Sequence, residues 1–216
     1  LSALDITGSP HQQRVITIAT TPAMGALLMP GLASALKPTF PQILLHNIAI
    51  VDAARQLDQR QVDLLIDTHL HSGQAISHHV LYQDRVQMYC RAGHPALDGP
   101  QDETTLAEYE FALLLPEGQR YPTLHRRLQE EMGERRCGFS TFNLMTQAAM
   151  IAGSDMLGLT TERLFAMVSR LWPLQTLDFP SLGEEQIDVA LHFNKLSGKE
   201  PLLKEIIETV IRSFKA

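Results

Sequence analysis

The stretch that most constrains the fold is Arg14–Pro41, RVITIATTPAMGALLMPGLASALKPTFP, because a strand, a tight turn and a helix follow one another in it. Val15, Ile16 and Ile18 crowd β-branched apolar side chains into Arg14–Ala19, the composition of a buried strand. Thr20-Thr21-Pro22 ends that run. Thr21 suits a helix N-cap and Pro22 suits the first helical position, where a missing N–H costs nothing. Met24, Leu27, Leu28, Leu32, Ala35 and Leu36 then recur at helical spacing. Pro30-Gly31 is expected to kink this helix without ending it, and Lys37-Pro38 with Phe40-Pro41 closes it. A strand that feeds a helix in this way delivers two hydroxyls and several free backbone N–H groups to one point. In an open α/β sheet ligands collect at that edge, and a helix start favours an anion. Thr21 fits a plain capping role equally well.

The rest of the chain repeats the theme. Ile43–Ile48 reads as a second strand, Asp52 caps a short helix Ala53–Gln59 carrying Leu57 inward, and Val62–Asp67 reads as a third strand. A β-α-β-α-β order with short helices predicts parallel strands. Thr68–His79 reads as a loop around Gly73, and Val80–Cys90 as a longer extended segment. After the Gly93, Pro95, Gly99 and Pro100 punctuation a second α/β set begins. It comprises a short helix near Leu106, a strand Phe111–Leu115, a helix Pro122–Met132 and a strand Gly138–Ser140. A helix Leu144–Ala152, a strand Met156–Leu159, a helix Glu162–Ser169 capped by Thr161 and a strand Leu174–Leu177 complete it. Gln186–Phe193 and the amphipathic Glu200–Phe214 cannot form a third domain, so they are expected to return to the first unit. This predicts crossovers near Met88–Ala92 and Ile187–His192, with a cleft between two lobes. The expected division is a linker 1–13, a first subdomain 14–90 plus 188–216, and a second subdomain 91–187.

Composition narrows the function. The chain of 216 residues carries a formal charge of −6, which argues against a large phosphate-binding surface. No apolar run approaches the ~20 residues that cross a bilayer, and no leader is visible. Cys90 and Cys137 lie far apart without a partner motif, as in a reducing cytoplasm. No Walker A, GxGxxG or GxSxG pattern is present, so neither a nucleotide cofactor nor an enzyme is expected. His69, His71, His78 and His79 are the most tempting metal constellation. Their spacing matches no standard structural site, and they are read as a solvent-exposed loop. Arg120, Arg126, Arg127, Arg135 and Arg136 are read as a solvated or interface face.

Strand, Thr-Thr-Pro, LLMPGLASALKPTFP, VDLLID, MYCRAGHPAL and QAAMIAGSDMLGL resemble, in that order and from Arg14 to Phe214, the effector-binding domain of LysR-type transcriptional regulators. The branch most similar is that of the leucine-operon regulator. The resemblance implies two Rossmann-like subdomains of periplasmic-binding-protein type II-like fold and a cytoplasmic sensor. It further implies DNA contact only through a winged helix-turn-helix upstream of Leu1, and a homodimer that becomes a tetramer in the full-length protein. It places a small-molecule effector, read as an organic anion, against Thr20, Thr21, Pro22, Ile50, Ser140, Thr141 and Phe142, with His192 near the crossovers. No metal, cofactor or membrane is implied. Where many members carry a glycine pair and a proline this chain reads Gly153-Ser154-Asp155 and Thr160-Thr161, which implies a different second-lobe wall. An exported solute receptor of the same fold is the alternative, distinguished by whatever precedes Leu1.

Overall fold

The computed structural model describes residues 14–115, 136–179 and 186–215. β1 (Arg14–Thr20) runs into α1 (Pro22–Leu36), and β2 (Ile43–Ala49), α2 (Ala53–Asp58) and β3 (Leu64–Asp67) follow. β1 pairs in parallel with β2 on one side and β3 on the other, as the alternation of short strands and helices predicts. Asp52 caps α2 by accepting from the Arg55 N–H at 3.0 Å. α1 continues through Pro30 to Leu36 and buries Met24, Leu28, Leu32 and Leu36.

β4 is one strand of 16 residues, Ile76–Arg91. The expected loop Thr68–His79 is therefore shorter, and His78 and His79 stand in a sheet. Ser77, His78 and His79, polar side chains in a row, hide this start from any apolar alternation. The order comes instead from antiparallel pairing with β9 (Gln186–Asn194), which spans Ile76 to Arg85. From Val86 onward β4 changes partners, to β7 (Gly158–Thr161) and β8 (Leu174–Leu177). β9 also pairs antiparallel with β3, so the C-terminal strand does return to the first unit.

The second lobe repeats the first. α3 (Glu103–Leu106) precedes β5 (Phe111–Leu114), which pairs in parallel with β6 (Cys137–Thr141) and meets Leu157, just before β7, in a parallel bridge. α4 (Leu144–Ala152) packs on β5 and β6, α5 (Glu162–Val168) on β4 and β7, and α6 (Pro201–Ser213) packs back against α1. β7 begins and ends two residues later than the alternation predicts. Thr160 and Thr161 belong to its ladder, opposite Gln87 and Val86, and Thr161 makes no side-chain cap bond to α5. The expected helix Pro122–Met132 and Arg120, Arg126, Arg127 and Arg135 lie outside the described residues.

α1 binds the two lobes together. One apolar cluster contains Met24, Leu28 and Leu32 of α1, Ile206 and Val210 of α6, Ala148 and Ile151 of α4, and Leu164 and Val168 of α5. At the crossover the Arg163 guanidinium lies 4.0 Å from the Tyr82 ring centroid, and Tyr82 stacks on Phe214 at 5.5 Å. The Arg163 N–H also donates to buried Asp84 at 3.4 Å.

Candidate functional site

Thr20 ends β1 and is fully buried beneath the start of α1. Its Oγ1 accepts from Asn47 Nδ2 at 3.0 Å, and the same amide donates to the Ile18 carbonyl at 2.9 Å. Gly25 passes directly over this pair, since a Cβ there would stand 2.7 Å from Asn47 Oδ1 and 2.8 Å from Thr20 Oγ1. Thr21 caps α1, its Oγ1 accepting from the Met24 N–H at 3.4 Å, and Pro22 occupies the first helical position in the open. Ile50 is tied to the same turn because its N–H donates to the Thr20 carbonyl at 3.3 Å. The structure thus brings Thr20, Thr21, Pro22 and Ile50 to one edge.

The second lobe offers a matching turn. Exposed Ser140 and half-buried Thr141 end β6, and Phe142 is 53% exposed beyond them. Asn143 caps α4 through Oδ1, accepting from Met145 N at 2.8 Å and Thr146 N at 3.3 Å, while its own N–H donates to Thr141 Oγ1 at 3.2 Å. Behind the turn, buried Gln147 donates to the Ala112 carbonyl at 2.7 Å and accepts from the Tyr89 hydroxyl at 3.0 Å. This network seats α4 on β5 and β4. Burial holds the Tyr89 phenol protonated, far above the usual tyrosine range.

His192 is placed differently from these. It stands in β9 opposite Leu65 and His78, fully buried. Its Nε2 accepts from the His71 N–H at 3.1 Å, and Nδ1 has no hydrogen-bond partner among the described residues. His71 Nε2 in turn meets Asp67 Oδ2 at 2.8 Å. Burial first, and then His71, push the His192 pKa down to about 4, with Leu65 and Asp67 pulling weakly the other way. His71 is thus not a solvent-loop residue, as the spacing predicts, but one member of a packed imidazole group. His69 stacks edge-on against it at 4.8 Å and His192 at 5.1 Å.

Asn47, Asp67 and Asn143 are missed by motif reading, and His71 is noticed there only as part of a metal constellation, not for its bonds to Asp67 and His192. Asn143 alone carries a local signal, a cap residue directly before an apolar helix. Asn47 and His71 act across sequence separations of 27 and 121 residues, which no local pattern encodes. Chemically the two turns offer hydroxyls and backbone N–H groups from opposite lobes, suited to holding a polar ligand. Among the described residues no group of His, Cys, Asp and Glu side chains is arranged to hold a metal ion, and no helix is long and apolar enough to cross a membrane. Burial raises the Cys90 thiol to about 11, which leaves it unreactive.

This architecture recurs in known proteins. The family described as LysR substrate binding domain matches residues 9–215. The HTH-type transcriptional regulator YbeF of Escherichia coli (strain K12), described as uncharacterized, is 44% identical over 214 residues, covering 99% of this chain and 68% of that protein. The regulatory domain of MexT, a transcriptional activator in Pseudomonas aeruginosa, superposes with a TM-score of 0.76 at 12% identity, covering 94% of this chain and 99% of that one. The effector binding domain of a BenM variant superposes with a TM-score of 0.74 at 14% identity, covering 94% and 95%. These relatives are transcriptional regulators rather than enzymes, and two lobes built on paired strand-to-helix turns and matched by the family over nearly their whole length lead to one conclusion: the chain belongs to the LysR substrate binding domain family, the regulatory part of LysR-type transcriptional regulators.

Proposed function

We propose that this domain senses a small organic anion between its lobes and conveys the occupancy to a DNA-binding part of the same regulator in the cytoplasm. The observation that carries the reading is the duplication of one device. Each lobe has a parallel strand pair, β1 with β2 and β5 with β6, and one strand of each pair, β1 and β6, leads at its carboxyl end into a helix capped by a hydroxyl or amide side chain. Such edges are where open α/β sheets take ligands. Thr21 and Pro22 with Ile50 form the first wall, and Ser140, Thr141 and Phe142 the second. Thr20 and His192 act from beneath, Thr20 by holding Asn47 and His192 by holding the loop after β3. The expected subdomains, 14–90 plus 188–216 and 91–187, move about β4 and β9, and the change of β4 partners at Arg85 and Val86 supports a hinge there. An effector acts by favouring one lobe arrangement over another. We further propose that the domain forms a homodimer, and a tetramer in the full-length regulator.

The test is a thermal-shift screen of small carboxylates on wild type, Thr21→Val and Thr141→Val, each referred to its own unliganded Tm. A ligand at 100 times its Kd adds about 2.7 kcal/mol, or roughly 5–10 °C for a domain of this size. A shift in wild type that shrinks in both variants supports the reading. A shift that survives in both moves the site elsewhere, and no shift with any acid removes the anion class.

A further inference from the structure

The loop Thr68–Ala75 takes a path that the sheet forces on it. β3 and β4 are both antiparallel to β9, hence parallel to each other, so the chain leaving Asp67 must travel back across β9 before β4 begins at Ile76. It crosses over His192. The crossing is held by the His71 N–H on His192 Nε2 at 3.1 Å, the His71 ring on Asp67 at 2.8 Å, and the Thr68 N–H on Asp67 Oδ1 at 2.7 Å. The groups facing His192 are Asp67 from β3, His71 with His69 behind it from the loop, and His78 from β4, whose ring lies 5.8 Å away. α2, which packs on the same face, buries only Ala53, Gln56 and Leu57, all uncharged. One carboxylate therefore serves an assembly of four imidazoles.

We infer that Thr68–Ala75 is a proton-released strap, held down while His192 Nε2 accepts from His71 and lifted when that nitrogen takes up a proton. The Nε2 lone pair is the latch. A proton placed on it turns the acceptor into a donor that faces another donor, in a site where Asp67 is already engaged by His71 and Thr68. The strap leaves β3 beside Thr20, which pairs with Ile66, so its release loosens the first lobe's ligand edge. The device is independent of what the cleft binds.

Hydrogen exchange read by mass spectrometry on the whole chain, over the peptide containing residues 68–76, tests it after correction for intrinsic pH dependence. With His192 at about 4 when strapped and at its ordinary 6.5 when released, the opening constant rises about 30-fold between pH 8 and pH 5. His192→Gln keeps an acceptor near the Nε2 position but cannot titrate, and its strap should exchange equally at both pH values. Wild-type protection that does not change with pH, or an equal loss in His192→Gln, overturns the proposal. Should that variant not fold, the His192 Cε1–H resonance of wild type decides. Its titration midpoint must coincide with the midpoint of strap exchange, and a mismatch overturns the proposal.

Discussion

Replacing Gln147 by leucine tests how the second-lobe turn is held. The side chain is fully buried and makes two bonds, donating to the Ala112 carbonyl at 2.7 Å and accepting from the Tyr89 hydroxyl at 3.0 Å. Leucine has similar volume, so no cavity opens, but a carbonyl and a phenol are stranded in the core. Each stranded group costs about 1–3 kcal/mol, partly offset by the added apolar burial, for a net loss of about 3 kcal/mol. Tyr89→Phe strands only Gln147 Oε1 and should cost about 1–2 kcal/mol. The double variant removes both the amide and the phenol and leaves the Ala112 carbonyl alone without this partner. It should be more stable than Gln147→Leu by about 1–2 kcal/mol, although it carries one more substitution. Urea unfolding of the four proteins, with a common m-value, measures the cycle. If Tyr89→Phe is as costly in the Gln147→Leu background as in wild type, the two groups are not one network and the reasoning fails.

Three further outcomes follow from single features. Between pH 6.5 and 4 the unfolded chain binds a proton at His192 that the folded chain refuses, so stability falls with pH across that window, by up to about 3 kcal/mol, and levels off below it; urea midpoints for wild type and His192→Gln should diverge over that range. Gly158→Ala places a Cβ 2.3 Å from Ile151 Cδ1 and 2.9 Å from Tyr89 Cε1, both in the core, and should lower stability by about 1–3 kcal/mol in the same assay. Thr161→Val removes a buried hydroxyl that has no partner among the described residues and keeps the branched shape that its strand favours, so its thermal midpoint should rise rather than fall.

Much of the architecture is legible from local signals. α1, α4 and β8 begin and end where cap residues, apolar spacing or punctuation put them, because each is specified within its own few residues. The parallel trio and the returning C-terminal strand follow from connection lengths and from the impossibility of a lone strand and helix making a core. What escapes notice is whatever depends on a distant partner. The polar start of β4 is a strand only because β9 lies beside it, and Thr160-Thr161 looks like a cap until the ladder with Val86 and Gln87 is seen. The candidate site divides the same way: its threonines advertise themselves at turns, whereas Asn47, Asp67 and His71 gain their roles only when β1, β2, β3 and β9 come together.

The sharing of α1 between lobes has a calorimetric consequence. Side chains of both lobes surround Leu28 and Leu32 in one cluster, so neither lobe can lose its packing without exposing the other's. Heat should therefore melt the molecule in a single transition whose calorimetric and van't Hoff enthalpies agree, rather than in two. A ligand held at one lobe's edge would then raise the melting temperature of the whole, and either lobe expressed alone would lack the wall against which its own half of the core is built.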